Sequence, residues 1–582
     1  MGNRRVRRGR RPTAFRLDRP VMACGLIAAY VAIQVALATP PERPASDAGA
    51  IYLGAVNGQD WGRPLAAGDL DGDGYDEVIV GASESWGGTL SRVYVVRGGP
   101  GRHASGTVDL SVVGCDQVIL GAAVDDNLGC SIGTGDVTGD TIDDLLICAS
   151  TADHAGIQDR GIAYLVFGGA TFFDSATRDL SDTSQWDLRI IGPVASGDMG
   201  GANLFGGLDA HAAAIGRVND DIYGDIILGV HLATGGGSQS GRVYVISGGP
   251  FPSGFTLNLA VGSSYEVRID GRSSYDELGT VVLAADLTGD GIDELILPNE
   301  YASQGLFTSE GAVHIFRGRA DWPSLISLSA GPADITLLGA REDDVLGTAA
   351  AVGDFNNDGI MDLAVAAPGA DAGAHNDQRG DGFVYGLLGS AAYQTGTHTI
   401  DYGSATPDFV LIGEFEENLG DEVSAGDFNG DGFDDIAASE RFGGPQTNGV
   451  VEVLLGRVFA GGATFTANVD TDLRILGAAQ DRIGFSLAAS DVNGDGLDEV
   501  FFGTPFNNGD SGTVYVFTHA SADCDSDGDH DLVDFACFQA CFGGPAGPTP
   551  AGLCALFDLD LDEDVDFSDF AEFASLLTGP GF

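Results

Sequence analysis

The residues best suited to chemistry in this chain are acidic side chains that recur in a nine-residue pattern. In its plainest copy, DFNGDGFDD at residues 427–435, carboxylate or amide side chains occupy the first, third, fifth and ninth positions. Glycine in the middle of the pattern lets the backbone turn sharply, so these side chains can face inward together. Such a cage of hard oxygen ligands suits Ca²⁺ better than a softer transition metal. The pattern therefore predicts a calcium-binding loop.

Six copies of the pattern are intact, and in each we predict that the first, third, fifth, seventh and ninth residues form the metal site. These residues are Asp69, Asp71, Asp73, Tyr75 and Glu77; Asp136, Thr138, Asp140, Ile142 and Asp144; Asp286, Thr288, Asp290, Ile292 and Glu294; Asp354, Asn356, Asp358, Ile360 and Asp362; Asp427, Asn429, Asp431, Phe433 and Asp435; and Asp491, Asn493, Asp495, Leu497 and Glu499. A single acidic turn would be weak support for a metal site, but six copies in register are strong support.

A seventh copy, RVNDDIYGD at residues 217–225, has Arg217 where the first Asp should be. Arginine is permanently charged and has no acceptor atom, so it cannot coordinate a cation. We therefore predict that this copy binds no metal. The guanidinium of Arg217 is a candidate occupant of the site.

The segments around the loops predict an all-β fold. Each loop leads into apolar, partly β-branched sequence, such as residues 78–80, whereas an EF-hand loop leads into a helix. Successive copies start about 70 residues apart, and the last repeat holds four strand-sized segments, at 473–478, 485–490, 499–505 and 513–517. Glycine-rich turns separate these segments and no helical periodicity is present. The expected architecture is a seven-bladed β-propeller of four-stranded antiparallel blades.

Two further motifs recur in register with the loops. The first is an apolar residue followed by glycine, at Trp61-Gly62, Leu128-Gly129, Phe205-Gly206, Leu278-Gly279, Leu346-Gly347, Leu419-Gly420 and Ile483-Gly484. The second is GAS at Gly81, CAS at Cys148, APG at Ala367 and GTP at Gly503. The repeats resemble FG-GAP repeats, the units of the integrin α-subunit propeller, over residues 51–517. The resemblance implies a propeller that binds a protein or glycan ligand on its loop face, and a ring closed by residues 51–54 completing the last blade.

The amino-terminal sequence predicts export. Eight arginines lie in the first 19 residues, and residues 21–38 form an apolar run that ends in Ala-Leu-Ala. A basic head, an apolar core and a small-residue end are typical of a secretory signal peptide, here residues 1–38. The run is also long enough to be an uncleaved membrane anchor. Residues 39–50 are Pro-rich and indicate a linker, and residues 51–520 are assigned to the propeller.

The net charge of the chain argues against polyanionic partners. The chain carries 28 Lys and Arg residues, all of them Arg, against 85 acidic residues, a net charge of −57. Without residues 1–38, 20 Arg remain against 84 acids, a net charge of −64. Such a surface repels nucleic acid and anionic lipid. Partners are expected to be neutral, cationic or bound through calcium.

The carboxyl-terminal segment, residues 521–582, contains two longer acidic loops. DCDSDGDHDLVD at 523–534 and DLDLDEDVDFSD at 558–569 each precede a segment with helical character. Their predicted metal ligands are Asp523, Asp525, Asp527, Asp529 and Asp534, and Asp558, Asp560, Asp562, Asp564 and Asp569. The pair resembles a dockerin, a paired EF-hand-type calcium module that binds cohesin domains. Glu563 replaces the turn glycine of the second loop, and attachment to a surface or docking onto the chain's own propeller remain alternatives to a cohesin partner.

Cysteines are consistent with an exported protein only in part. Cys115, Cys130 and Cys148 fall in the second repeat and allow at most one disulfide. Four more cysteines in the carboxyl-terminal segment could form two disulfides, with a connectivity that the spacing does not define.

No catalytic constellation stands out. The sequence GCSIG at 129–133 matches the nucleophile motif G-x-S-x-G, but it lies in repeat register and predicts a propeller strand. The nine histidines form no metal-ligand cluster. Irregular inserts at 170–187, 192–205 and 369–382 are better candidates for a binding surface.

We therefore predict an exported, non-enzymatic, calcium-binding scaffold for protein or glycan binding or adhesion. The alternatives are a secreted enzyme or a subunit of a polysaccharide-degrading assembly, and a structural envelope protein.

Overall fold

A computed structural model describes residues 42–517, except for 46–47, 49, 55–59, 84–89, 101, 103–105, 110–114, 195–198, 202–210, 304–308, 372–379, 415–416, 446, 480 and 506–511. The predicted signal peptide or anchor and the predicted dockerin-like module lie outside these residues. Among the described residues, no helix is long and apolar enough to cross a membrane.

The described chain consists of short strands, with one turn of 3₁₀ helix at Ala391–Gln394. The strands, in chain order, are β1 (Glu42–Pro44), β2 (Ala50–Leu53), β3 (Asp60–Gly68), β4 (Glu77–Ser83), β5 (Arg92–Val96), β6 (Gly106–Asp109), β7 (Gln117–Leu120), β8 (Leu128–Gly135), β9 (Asp144–Ala149), β10 (Ile162–Val166), β11 (Thr177–Asp179), β12 (Leu188–Ile191), β13 (Ala213–Gly216), β14 (Asp225–Gly229), β15 (Arg242–Ile246), β16 (Phe255–Asn258), β17 (Val267–Asp270), β18 (Leu283–Ala285), β19 (Glu294–Asn299), β20 (Ala312–Phe316), β21 (Leu325–Ser327), β22 (Ile335–Leu338), β23 (Ala350–Gly353), β24 (Asp362–Ala367), β25 (Phe383–Leu387), β26 (His398–Asp401), β27 (Phe409–Ile412), β28 (Val423–Gly426), β29 (Asp435–Glu440), β30 (Val450–Leu454), β31 (Ala463–Thr466), β32 (Leu473–Leu476), β33 (Ser486–Ser490), β34 (Glu499–Thr504) and β35 (Thr513–Phe517).

These strands form seven sheets, which we number as blades 1 to 7. From the first strand outward the orders are β3-β4-β5-β7-β11, β8-β9-β10-β12-β16, β13-β14-β15-β17-β21, β18-β19-β20-β22-β26, β23-β24-β25-β27-β31, β28-β29-β30-β32-β1 and β33-β34-β35-β2-β6. The first strands of most neighbouring blades contact one another, which places them at the centre of the ring. The predicted all-β, seven-bladed β-propeller is confirmed.

The ring closes as the resemblance implied. Strand β2 pairs antiparallel with β35, with Ala50 opposite Val516 and Leu53 opposite Thr513. The fourth strand of blade 7 therefore comes from the amino-terminal end of the propeller, and its first three strands come from the carboxyl-terminal end. Tyr52 of β2 is only 4% exposed, so the closure buries a large aromatic side chain as well as pairing the backbone.

The blades differ from the prediction in having five strands. In each blade a short fifth strand pairs parallel with the fourth, as β11 pairs with β7 in blade 1. Strand β11 lies between the third and fourth strands of the next blade, within the segment 170–187. That segment was predicted to be an irregular insert, and this is wrong, because it contains a regular strand of the ring and buries Phe172, Leu180 and Trp186. Its candidacy as a binding surface stays a prediction.

The sequence repeat is also shifted by one strand from the structural blade. The four segments of the last repeat were assigned to a single sheet, but residues 473–476 form β32, the fourth strand of blade 6. The other three segments form the first three strands of blade 7. Each sequence repeat thus begins with the outer strand of one blade and continues with the inner strands of the next, so the repeats interlock neighbouring blades.

Apolar side chains fill the spaces between blades. The described residues contain seven buried clusters, and each joins two adjacent blades, as the cluster of Leu70, Ile79, Leu145 and Trp186 joins blades 1 and 2. The segment 129–133 lies on strand β8, which confirms its interpretation as a propeller strand. Cys115, Cys130 and Cys148 form no disulfide with one another, so the single disulfide allowed among them is absent from the described residues.

The recurrent glycine motifs contact each other across blade boundaries. Gly129 of blade 2 has φ of +82°, and a Cβ on Gly81 of blade 1 would lie 2.7 Å from the carbonyl oxygen of Gly129. All six described glycines of the first motif have φ between 82° and 99°. A side chain at either position would strain the backbone or separate the blades.

Candidate metal sites

The seven repeat loops all lie at one end of the ring, which we call the repeat-loop face. They join the first and second strands of blades 1 to 7 in turn, and we number them loops 1 to 7: residues 69–77, 136–144, 217–225, 286–294, 354–362, 427–435 and 491–499. The connections between second and third strands, and between successive blades, lie at the other end, the opposite face. The tail residues predicted to bind metal are outside the described chain.

The first Asp of each intact loop organises the backbone around its carboxylate. In loop 1, Asp69 accepts hydrogen bonds from the backbone N–H groups of Gly72 (2.8 Å) and Gly74 (2.9 Å). The bond from the sixth residue recurs in all six intact loops, at 2.7 to 3.0 Å. The fourth and sixth residues of these loops all have positive φ, which glycine adopts without steric cost.

Loop 1 brings together three of its predicted ligands. Carboxylate oxygens of Asp69, Asp71 and Glu77 all lie within 4.8 Å of one another. Oε2 of Glu77 accepts a hydrogen bond from the backbone N–H of Leu70 (2.7 Å). Oε1 of Glu77 and Oδ1 of Asp71 are buried and accept no hydrogen bond from the described residues. Buried carboxylate oxygens without a donor are costly unless a cation neutralises them, so the donor set fits a hard divalent cation.

The other intact loops do not bring three acidic ligands this close among the residues that the structure describes. Where the ninth residue is the shorter Asp, its carboxylate is held by the backbone: Asp144, Asp362 and Asp435 accept hydrogen bonds from the N–H groups of Gly168, Gly389 and Gly456. The seventh residues have apolar side chains or Tyr, so only their backbone carbonyls could act as ligands, as in an EF-hand.

Loop 3 differs in backbone as well as in sequence. Nε of Arg217 donates a hydrogen bond to the carbonyl oxygen of Asp221 (3.2 Å), so the guanidinium lies against the fifth residue of its own loop. Asp220 and Ile222, the fourth and sixth residues, lack the positive φ of the intact loops. The amide of Asn219 donates to Asp225 (2.9 Å), a bond between the third and ninth residues that loops 5 and 7 share. That loop 3 binds no metal stays a prediction. Its different backbone conformation is a second reason for it, besides the missing carboxylate.

Sequence reasoning did not identify the role of the eighth loop position, which is Asp in loops 1, 2, 4, 6 and 7. The eighth N–H donates to the first carbonyl oxygen of the preceding loop, in the pairs Asp143 to Asp69, Gly224 to Asp136, Asp293 to Arg217, Met361 to Asp286, Asp434 to Asp354 and Asp498 to Asp427. The carboxylates of Asp293, Asp434 and Asp498 also accept the first N–H of the preceding loop. The loops therefore form a hydrogen-bonded belt around the repeat-loop face.

The carboxyl groups at the ninth loop position have raised pKa values. Burial, and secondarily repulsion from the other loop carboxylates, raises the pKa of Glu77 and Glu294 to about 8 and that of Glu499 to about 9. The same effects, offset in part by backbone hydrogen bonds, raise the pKa of Asp144 to about 7 and that of Asp435 to about 8. In the absence of a cation these groups therefore hold protons near neutral pH.

These pKa values predict how the stability of metal-free protein depends on pH. A carboxyl group with a raised pKa binds more protons in the folded state than in the unfolded state, between its unfolded pKa near 4 and its folded pKa of about 7 to 9. In chelator, the melting temperature should therefore fall as pH rises from 5 to 9. With saturating calcium this fall should largely disappear, because the cation replaces the proton. Thermal melting at each pH, with and without calcium, measures both effects, and a chelated protein that gains stability toward pH 9 would contradict them.

Comparison with known proteins agrees with this architecture. Residues 61–96, 346–387, 419–454 and 483–517 match the FG-GAP repeat. Each matched segment contains the first three strands of a blade and its repeat loop, in blades 1, 5, 6 and 7, which are consecutive around the closed ring.

Similar stretches occur in larger proteins. The chain is 34% identical over 181 residues to phosphatidylinositol-glycan-specific phospholipase D of Mus musculus, covering 30% of this chain and 20% of that protein. It is 28% identical over 187 residues to integrin alpha-PS3 of Drosophila melanogaster (31% and 14%) and 29% identical over 189 residues to integrin alpha-5 of Xenopus laevis (32% and 16%). The chain thus matches a fifth or less of the length of these relatives. It is a seven-bladed β-propeller that carries FG-GAP repeats and resembles, over part of its length, integrin α subunits.

Proposed function

We propose that this protein is an exported, calcium-stabilised propeller that serves as a scaffold for binding a protein or glycan partner. The observation that carries the calcium assignment is the pair of buried carboxylate oxygens in loop 1, on Asp71 and Glu77, that accept no hydrogen bond from the described residues. The other intact loops share the backbone conformation of loop 1, which extends the proposal to all six. Similarity to integrin α subunits supports the binding role.

The remaining parts of the proposal come from the sequence. The basic and apolar amino-terminal segment favours export, and calcium sites of this kind suit the roughly millimolar calcium outside cells. The paired acidic loops at 523–534 and 558–569 favour a second calcium-binding module that attaches the propeller to a surface or partner, with a cohesin-like domain as one candidate.

Both ends of the ring carry loops, and we assign partner binding to the opposite face rather than to the repeat-loop face. Two of the three predicted inserts, 192–205 and 369–382, connect strands there, whereas the calcium loops and their hydrogen-bonded belt occupy the repeat-loop face. Loops on a rigid scaffold can vary in sequence without disturbing the core, which is why binding specificity is usually placed in them.

The experiment is a binding screen of the purified protein against glycan and extracellular-protein arrays, run in calcium and in chelator beside a panel of hydrolase substrates. Calcium-dependent binding that is lost when residues 369–382 are replaced by a short Gly-Ser linker would support the scaffold. Unchanged binding after that replacement would place the partner elsewhere.

The similarity to a phospholipase D favours an enzyme as the second candidate function. It covers only 20% of that protein and 30% of this chain. Turnover in the hydrolase panel that is abolished by mutating an acid outside the repeat loops would favour the enzyme over the scaffold.

Loop 3 offers a test of the metal assignment by gain of function. Arg217→Asp alone should add no calcium ion, because Asp220 and Ile222 do not adopt the left-handed conformation that lets the first Asp collect backbone donors. Arg217→Asp combined with Asp220→Gly and Ile222→Gly should add one. Native mass spectrometry in calcium counts the ions, and equal counts for the single and triple variants would argue against this conformational requirement.

A further inference from the structure

A second acidic cluster lies between blades 5 and 6 on the opposite face, away from the repeat loops. It contains Glu414 and Glu417, in the connection from β27 to β28, and Glu440 at the end of β29. Carboxylate oxygens of these three residues lie within 4.8 Å of one another. Loop 1 is the other place in the described chain where three acidic side chains come this close.

The buried charged residues beside this cluster are not a general feature of the propeller, because other blades have aromatic side chains at the same place. The third residue of the third strand faces the preceding blade and is a buried Tyr in blades 1, 2, 3, 5 and 7: Tyr94, Tyr164, Tyr244, Tyr385 and Tyr515. In blade 6 this residue is Glu452, which is 0% exposed. Next to it, Arg474 occupies the fourth strand and is 3% exposed. Blade 6 has therefore exchanged an aromatic side chain for buried charge at the boundary with blade 5.

The charges of the cluster do not balance. Arg474 makes ion pairs with Glu414 (3.2 Å), Glu452 (3.4 Å) and Glu417 (3.9 Å). With Glu440, one positively charged side chain therefore lies among four carboxyl groups. Two of the four, Glu440 and Glu452, are fully buried, and buried carboxylates that a single arginine does not neutralise recruit protons or a cation.

One oxygen of the cluster has no protein donor among the described residues. Glu440 is 0% exposed, and its Oε2 is buried and accepts no hydrogen bond from them. Its Oε1 is held by the backbone N–H of Glu414 (3.4 Å). Glu417 is held at both oxygens, since its Oε1 accepts a hydrogen bond from Gly444 (3.3 Å) and its Oε2 lies 3.9 Å from the guanidinium of Arg474. Both oxygens of Glu414 also accept hydrogen bonds, from Asn468 (2.8 Å) and Arg474 (3.2 Å), so Oε2 of Glu440 is the available oxygen.

The backbone approaches the cluster closely. A Cβ on Gly443 would lie 3.0 Å from Oε2 of Glu417, and one on Gly413 would lie 3.1 Å from Oε1 of Glu440. The N–H of Gly443 also donates to the carbonyl oxygen of Glu440 (2.8 Å), which folds the turn after β29 over the carboxylates. Both glycines therefore leave room that a side chain would fill.

We propose that Glu414, Glu417 and Glu440 form a binding site for a hard divalent cation, separate from the repeat loops. The three carboxylates lie close together beside a single arginine, and Oε2 of Glu440 is a buried oxygen that no donor among the described residues reaches; this arrangement matches the oxygen donor set that Ca²⁺ and Mn²⁺ accept. The ion would join the connection between blades 5 and 6 to the turn after β29, and so would fix two loops of the proposed partner-binding face. This site does not depend on the proposed calcium loops.

The experiment is native mass spectrometry of the full chain in saturating calcium, and again in manganese. Glu440→Gln keeps the size and the acceptor for the Glu414 N–H, and should bind one ion fewer than the wild-type protein. Glu300→Gln is the matched control, because Glu300 is a buried acid directly after the corresponding strand of blade 4, and Thr348 holds it by a hydrogen bond (3.2 Å). It should bind as many ions as the wild type.

The double variant Glu77→Gln with Glu440→Gln separates this site from loop 1. Loss of two ions in the double variant and one in each single variant supports two independent sites. If Glu440→Gln retains the wild-type ion count in both metals, the cluster is a set of acids that share protons, and the proposal is wrong. If Glu440→Gln does not fold, Glu417→Gln, at a partly exposed position, takes its place with the same expected loss of one ion.

Discussion

Removal of calcium is expected to lower the free energy of unfolding of the propeller by about 8 kcal/mol. A site whose ion is present at about ten times its dissociation constant contributes about 1.4 kcal/mol, and six intact loops contribute together. The loss is comparable to the whole net stability of a typical domain. The hydrogen-bonded belt makes the effect cooperative, because each of loops 2 to 7 donates a hydrogen bond to the first residue of the preceding loop. Thermal melting in calcium and in excess chelator measures it, and a melting temperature that chelator leaves unchanged would refute the structural role of calcium.

Glu77→Gln tests the same idea at one loop. In calcium the variant should bind one ion fewer and melt at a lower temperature than the wild type. In chelator near neutral pH the order should reverse, because Gln keeps an acceptor for the Leu70 N–H and, unlike Glu77, does not have to take up a proton when the chain folds. Asp174→Asn is a suitable control, since Asp174 is exposed and lies outside the repeat loops. It should follow the wild type in both conditions.

Removal of the ring-closing strand is expected to cost at least about 5 kcal/mol and to open the propeller. Burial of a Tyr side chain such as Tyr52 alone contributes about 4 to 6 kcal/mol. Strand β2 also pairs on both sides, with β35 and with β6, so its loss leaves two unpaired strand edges in blade 7. A chain that begins at residue 55 should melt without cooperativity and aggregate.

Chains with other starting points are the controls for this prediction. A chain that begins at residue 39 should melt as the exported protein does, and one that begins at residue 48 should lose only the short outer strand β1, with a small effect. Tyr52→Ala should reproduce much of the loss without altering chain length. Normal cooperative melting of the chain that begins at residue 55 would mean that blade 7 is stable with three strands.

Much of the fold could be read from the sequence because its determinants are local. The nine-residue loops mark the first turn of every blade, and a glycine with positive φ marks the start of the first strand in all six described cases. Short apolar segments between glycine-rich turns define the inner strands, which are three to nine residues long. Counting seven loops therefore counted seven blades, and the resemblance to FG-GAP repeats implied the ring closure through residues 51–54 that the structure shows.

Only the tertiary structure revealed the fifth strands and the shift between repeat and blade. Strand β11 has exposed or half-exposed residues throughout, so no apolar pattern distinguishes it from a loop. Its pairing partner β7 lies more than 50 residues earlier in the chain. Parallel pairing between such distant segments depends on the ring that brings blades together, and periodicity within one segment carries no information about it.

The candidate metal sites also differ in how much of each the sequence reveals. The residue types and spacing of the repeat loops were enough to propose calcium, because all the ligands of a loop lie within nine consecutive residues. The sequence did not reveal that loop 1 leaves two buried carboxylate oxygens without donors, or that loop 3 has a different backbone. The cluster of Glu414, Glu417 and Glu440 was invisible for the same reason: its members come from two connections and meet only where blade 6 packs against blade 5. Local spacing determines a chelating loop, whereas a site built between blades exists only once the chain has closed into a ring.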